Sequence, residues 1–199
     1  MRSNEPTKKQ PTKQQIKSIK SILEKSIDQL IANDSDIFDM EIVPPSNMPP
    51  EEDALNRKLH EIAINHRLAF YLEINIRKTK LKAYKVDIEY NRFYDHLKNL
   101  QTEGELLTVR PDIIIHTRLD GEIEQQHYLV VEAKKGQITQ GDIGKIKGFI
   151  SDSNYFYLFG LTISYCLSST LVLANLYYSN GIEIINEEIN RPKRSSCSS

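Results

Sequence analysis

Cysteine is scarce. Cys166 and Cys197 are the only two among 199 residues, too few for a disulfide framework or a cysteine-rich zinc site. Long apolar runs are missing as well. No stretch carries the ~20 apolar residues that would cross a bilayer. Neither sign of charge dominates, with 26 Lys and Arg against 27 Asp and Glu and a net charge of −1. That balance excludes a polybasic binder working by bulk attraction, and leaves room for a nucleic-acid enzyme with one local basic groove. The opening MRSNEPTKKQPTKQQ is polar. No secretory signal is therefore expected, and a reducing cytoplasmic compartment is the expectation. What is present is ordinary globular composition, 39% hydrophobic and 27% charged, in a length that suits one domain with a full core.

Residues 1–14 hold no apolar residue after Met1 and read as a disordered tail. Residues 15–52 read as an amphipathic N-terminal helix followed by a proline-rich arm. Ile16, Ile19, Leu23, Ile27, Leu30 and Ile31 recur at helical spacing, and four prolines follow in SDIFDMEIVPPSNMPPEED. That helix has an apolar face to place on the main domain or on a second subunit. Residues 53–185 read as the main domain. A second helix is expected from Asp53 to Glu73, with Leu55, Leu59, Ile62, Ala63 and Ala69 on one face. The period then drops to two. Strands are expected at 82–92, 109–118, 127–135, 156–167 and 170–178, with a short helix at 141–152. Ser179-Asn180-Gly181 marks a hairpin into a last strand, IEII. Residues 186–199 read as a flexible tail. Three strands with short links favour an antiparallel meander, and the helix after the third allows a parallel crossover. The expected class is α/β (α+β), a mixed central sheet flanked by helices with an extra N-terminal helix.

The chemistry concentrates on the second and third strands. Pro111-Asp112 opens one, and Glu132-Ala133-Lys134 lies near the end of the next. Glu132 and Lys134 are two apart on a strand, so their side chains leave the same face. One carboxylate from each strand can then converge on a divalent cation, and hard oxygen ligands suit Mg2+. Such an ion polarises a phosphate and acidifies a bound water. Lys134 beside it could orient that water or stabilise the charge of the transition state. The plain reading of each piece alone is structural: a Pro-Asp at a strand start, and a Glu-x-Lys on a solvated face. Their combination on two apolar strands favours the functional reading.

These residues resemble the PD-(D/E)XK nucleases of restriction-endonuclease-like fold. Pro111, Asp112 and Glu132-x-Lys134 match the motif, with the carboxylates 20 positions apart. The stretches HEIAINHRLAFYLE, VDIEYNR, VRPDIIIHTR, LVVEAKK and FYLFGL resemble small bacterial and phage-type members, over roughly residues 53–165. The resemblance implies a Mg2+- or Mn2+-dependent nuclease, an endonuclease before an exonuclease, with DNA as the expected partner. It implies Asp112, Glu132 and the Ala133 carbonyl as metal ligands and Lys134 as the catalytic lysine. A further glutamate on the first core helix is common in the superfamily; Glu61 is the candidate, Glu73 the weaker one. The chain departs from the better-studied members in having no recognisable target-recognition domain.

Other residues carry weaker signals. Lys135, Lys145 and Lys147 could line a nucleic-acid groove, although a solvated helix face explains Lys145 and Lys147 nearly as well. Asp87 and Glu89, two apart on one strand, are equally an exposed face or support for the site, and Arg92 and Arg110 could pair with them. His66 is placed on the core side of its helix. Tyr155, Tyr157 and Tyr165 read as sheet packing. The runner-up function is a catalytically inactive nuclease-fold module that binds nucleic acid or a protein partner. A homodimer through the N-terminal helix is a further expectation.

Overall fold

A computed structural model of the chain describes residues 10–34, 36–37, 50–89, 92–93, 96–97, 99–102, 105–118, 123–165 and 170–193, with side chains left out at 50–60 and 92–108. The expected tail before residue 10, most of the proline-rich arm, residues 119–122, both cysteines and the last six residues lie outside the described residues.

Helix α1 (Lys13–Asn33) begins at a capping box in which Thr12 and Gln15 satisfy each other's backbone N–H groups. Its stripe is Ile19, Leu23, Ile27 and Leu30, spaced four, four and three, and all four are fully buried. Each such side chain contributes about 1.5–3 kcal/mol of burial. Helix α2 (Pro50–Ile76) opens on proline, whose missing N–H costs nothing at a first helical position. Its buried face is Ile64, Leu68, Tyr71, Leu72 and Ile76. Of the expected stripe, Ala69 is buried and Ile62 half-buried, Ala63 is exposed, and the side chains of Leu55 and Leu59 lie outside the described residues; His66, expected toward the core, faces solvent. Alanine and isoleucine at those positions carried the pattern on hydrophobicity alone, while Asn65 and Asn75, which are buried, hid the true face. Asn75 Nδ2 donates to Ser26 Oγ at 2.9 Å and to Gln29 Oε1 at 2.7 Å. Asp34 just beyond α1 accepts from Arg67 Nε at 2.7 Å and from the Tyr71 hydroxyl at 2.6 Å. The two helices are thus joined by apolar packing and by polar contacts, with Asn75 Oδ1 left buried and without a partner.

The central sheet is mixed and mostly antiparallel. Its strands are β1 (Lys85–Ile88), β6 (Ile113–His116), β7 (His127–Lys134), β8 (Phe159–Ser164), β9 (Leu171–Ser179) and β10 (Ile184–Glu188), in that spatial order, with β11 (Arg191–Pro192) also paired to β9. Between β1 and β6 lie two small two-stranded ladders, β2 (Arg92–Phe93) with β3 (His96–Leu97) and β4 (Asn99–Thr102) with β5 (Glu105–Thr108). The pairs β1–β6, β6–β7, β8–β9 and β9–β10 are antiparallel, and β7–β8 is parallel across helix α3 (Gln140–Ser151). The meander and the crossover are therefore as the strand spacing implied. The expected mobile tail is not: residues 186–193 continue the sheet, and Arg191 reaches back to Asp28 of α1 at 2.6–2.7 Å. Polar composition there reflects an edge strand and an ion pair.

Strands β7 and β8 are buried on both sides, as central strands are. Leu129, Val131 and Ala133 face the large core under α1 and α2, while Val130 meets Ile146, Phe149 and Ile150 of α3. The same alternation aims Glu132 and Lys134 at the α3 side. Gly160 lets α3 come close. A Cβ there would lie 2.4 Å from Ile146 Cγ2 and 3.2 Å from Ile150 Cδ1. Helix α1 spends its apolar face inside its own chain.

Candidate active site

The β6–β7 register pairs Ile113 with Val131. One residue further, Asp112 stands across from Glu132, and its N–H donates to Val131 O at 3.2 Å. Asp112 Oδ2 accepts the Ala133 N–H at 2.8 Å, which fixes the carboxylate between the strands. The two acids, 20 positions apart in the chain, come close enough that the Asp112 charge acts on Glu132.

Glu132 is 2% exposed. Its Oε2 takes an ion pair from Lys145 Nζ at 3.3 Å, and its Oε1 is buried with no hydrogen-bond partner. Burial, and then the neighbouring Asp112 charge, push the Glu132 carboxyl up to about 7; Lys145 and Lys134 act against that rise. Burial also raises Asp112, opposed by the Ala133 N–H and by Lys134. Orphaned carboxylate oxygens in a dry site are costly without a cation, so the donor set has the character a hard divalent ion needs.

Lys134 lies among the acids and lowers the pKa of Asp112, Glu132 and Asp142 alike. Its Nζ is 3.9 Å from Glu61 Oε1. Glu61 comes from α2, on the other side of the sheet, where the helix passes the end of β7. Its second oxygen accepts the Lys135 N–H at 3.1 Å. Glu61, Asp112, Glu132, Ala133, Lys134 and Lys145 are thereby brought to one end of β6 and β7. Below them Tyr165, fully buried, donates to Asn65 Oδ1 at 2.7 Å, one helical turn past Glu61.

The remaining expected site residues separate. Lys145, expected in an outer groove, turns inward onto Glu132 and Asp142. Lys147 is exposed on the other side of α3, and the half-buried Lys135 meets Glu61 through its backbone. Glu73 is tied to Arg77 and to the Val86 N–H, away from the cluster. Asp87 and Glu89 do not share a face. Asp87 pairs with His116 at 2.7 Å and Arg118 at 2.5 Å at the far end of β6. Glu89 lies past the strand at φ 48° and pairs with Arg110 at 3.1 Å. The side chain of Arg92 lies outside the described residues.

Asp142 was missed, although Thr139-x-x-Asp142 is a capping-box signature and Lys145 follows three residues later. Asp142 Oδ2 accepts from the Thr139 N–H at 3.0 Å and hydroxyl at 2.7 Å, leaving Oδ1 for Lys145 at 3.5 Å. Among the described residues, no group of three or more His, Cys, Asp and Glu side chains stands together as a ready-made metal site. The candidate is a two-carboxylate site completed by a backbone carbonyl. No helix among the described residues is long and apolar enough to cross a membrane. No protein-family model and no curated protein matches the chain.

Proposed function

We propose that the chain is a divalent-metal-dependent nuclease of the PD-(D/E)XK type with a restriction-endonuclease-like core, hydrolysing phosphodiester bonds in DNA. The observation that carries this reading is the buried, unpartnered Glu132 Oε1 beside the Asp112 carboxylate, with an ammonium next to both. Asp112, Glu132 and the Ala133 carbonyl would hold Mg2+ or Mn2+. A bound ion of this kind polarises a phosphate and acidifies water.

The chain's own groups supply the rest. Lys134, held toward the acids by Glu61, donates hydrogen bonds to an attacking water and to a phosphoryl oxygen that gains charge. Glu61 acts as a positioning residue. It steadies the Lys134 ammonium and clamps the turn after β7 through the Lys135 N–H. Tyr165 donates to Asn65 in a buried hydrogen bond beneath Glu61.

The test is incubation of pure protein with linear, circular, single-stranded and branched DNA in Mg2+ or Mn2+. Cleavage is expected from the native chain and a loss of at least a hundredfold from Asp112→Ala and Lys134→Ala. No cleavage of any substrate, or equal cleavage by the variants, overturns the nuclease reading.

A second reading is a non-catalytic nucleic-acid-binding or protein-binding module of the same fold. The ion pair from Lys145 to Glu132 favours it, because an internal ammonium already meets part of the charge. Calorimetry separates the two: a module binds its partner equally with and without Mg2+ and tolerates Glu132→Gln.

A further inference from the structure

The contacts of Lys145 go beyond a solvated helix face. Its side chain is 38% exposed, yet its ammonium lies 3.3 Å from Glu132 Oε2 and 3.5 Å from Asp142 Oδ1. Those two acids are 3% and 7% exposed in their side chains. Asp142 cannot turn away, because its other oxygen is locked to Thr139 by the capping box. Thr139, Asp142, Lys145 and Glu132 thus form a chain of contacts from the first turn of α3 to the buried acid of β7. The backbone beneath it is equally fixed, since Ile146, the next residue, sits in the notch over Gly160.

We propose that Lys145 is a resident counter-ion that occupies Glu132 until a divalent cation arrives and then withdraws to Asp142, where its ammonium becomes available to a nucleic-acid phosphate. This rests on the metal-dependent reading of Asp112 and Glu132, and assigns to that site a built-in coupling between ion and polymer. The geometry supports it in two ways. Glu132 keeps one oxygen without a partner even with Lys145 in place, so a single ammonium leaves the acid half-satisfied. Asp142 offers a second perch within 3.5 Å of the same ammonium, so Lys145 can leave Glu132 without losing a counter-charge. Two cations that compete for one carboxylate oppose each other's binding. An ammonium released toward solvent instead adds a contact to an incoming phosphate. The ion then strengthens nucleic-acid binding through a side chain that does not ligate it.

Replacing Lys145 by Met removes the competitor and keeps the apolar stem. Calorimetric titration with Mn2+ alone, on the full chain, is expected to show Lys145→Met binding the ion about tenfold more tightly than the native protein. Lys145→Arg keeps the charge and is expected to stay within about twofold of native. Binding of a short DNA duplex with Ca2+ and with EDTA reads the coupling. The native chain is expected to gain at least fivefold in affinity from the ion, and Lys145→Met less than twofold. Should Lys145→Met fold poorly, Asp142→Asn takes its place: loss of the second perch holds Lys145 on Glu132 and is expected to weaken Mn2+ binding severalfold. Unchanged Mn2+ affinity in Lys145→Met or Asp142→Asn, while the native chain binds Mn2+, overturns the counter-ion role and leaves the metal site standing. No Mn2+ binding by any form overturns both.

Discussion

At the scale of single residues, the carboxylate proposed to hold the ion works against folding. Glu132 is ionised at a cost in a dry site. Glu132→Gln keeps the shape and removes the charge, so it is expected to raise stability by about 1 kcal/mol in the absence of metal while abolishing cleavage. Thermal unfolding in EDTA checks the first half; a lower melting temperature contradicts it. Asp87 behaves in the opposite sense. The hydrogen bond from His116 holds its carboxyl well below the ordinary range, with Arg118 adding to the effect against the opposing influence of burial. The folded state therefore binds fewer protons than the unfolded chain over the acid range. That stability is fully present above about pH 4, near the ordinary aspartate value, and drains away as pH falls toward the folded value. Asp87→Asn is expected to cost about 2 kcal/mol at neutral pH by removing the carboxylate charge that pairs with His116 and Arg118. It should also flatten the fall in stability between about pH 4 and pH 2, read by urea unfolding at a series of acid pH values. An unchanged slope contradicts the pairing.

Among elements, α3 depends on one small residue. Gly160→Ala would drive a methyl into Ile146 and Ile150, lifting α3 and with it Lys145 and Asp142. The expected cost is about 1–3 kcal/mol, seen in denaturant titration. Most of the architecture was legible at this scale because β-branched runs such as Ile113–Ile115 and Val130–Val131 sit in central strands, where pattern and burial agree. The Asp112 and Glu132-x-Lys134 pairing was legible for a related reason: two strands joined by a short link pair antiparallel, and alternation sets the faces. The rest depended on long-range contacts that local pattern does not carry. The buried face of α2 was only partly legible because Asn65 and Asn75 are buried polar residues, hydrogen-bonded to Tyr165 and Ser26 of distant elements. The inward aim of Lys145 follows from an acid 13 residues away on another element. The edge pairing of Arg191 follows from Asp28, 163 residues away.

Across the whole molecule, α1 and α2 cover one face of the sheet and α3 the other, and the candidate site lies at the end where α2 and α3 approach the tips of β6 and β7. The helix at the N-terminus is part of the main core. Leu23→Ala is therefore expected to cost about 2–5 kcal/mol and to lower the single unfolding transition of the entire chain, followed by circular dichroism; a separate early transition for α1 contradicts one shared core. The proposed ion site lies at the sheet's end. Its most direct test is anomalous X-ray scattering at the manganese edge from crystals of the full chain soaked in Mn2+. A peak is expected between the carboxylates of Asp112 and Glu132 and the carbonyl of Ala133, absent from Asp112→Asn crystals treated identically. Manganese bound elsewhere with those two acids bare, or a peak that survives the Asp112 substitution unchanged, would contradict it.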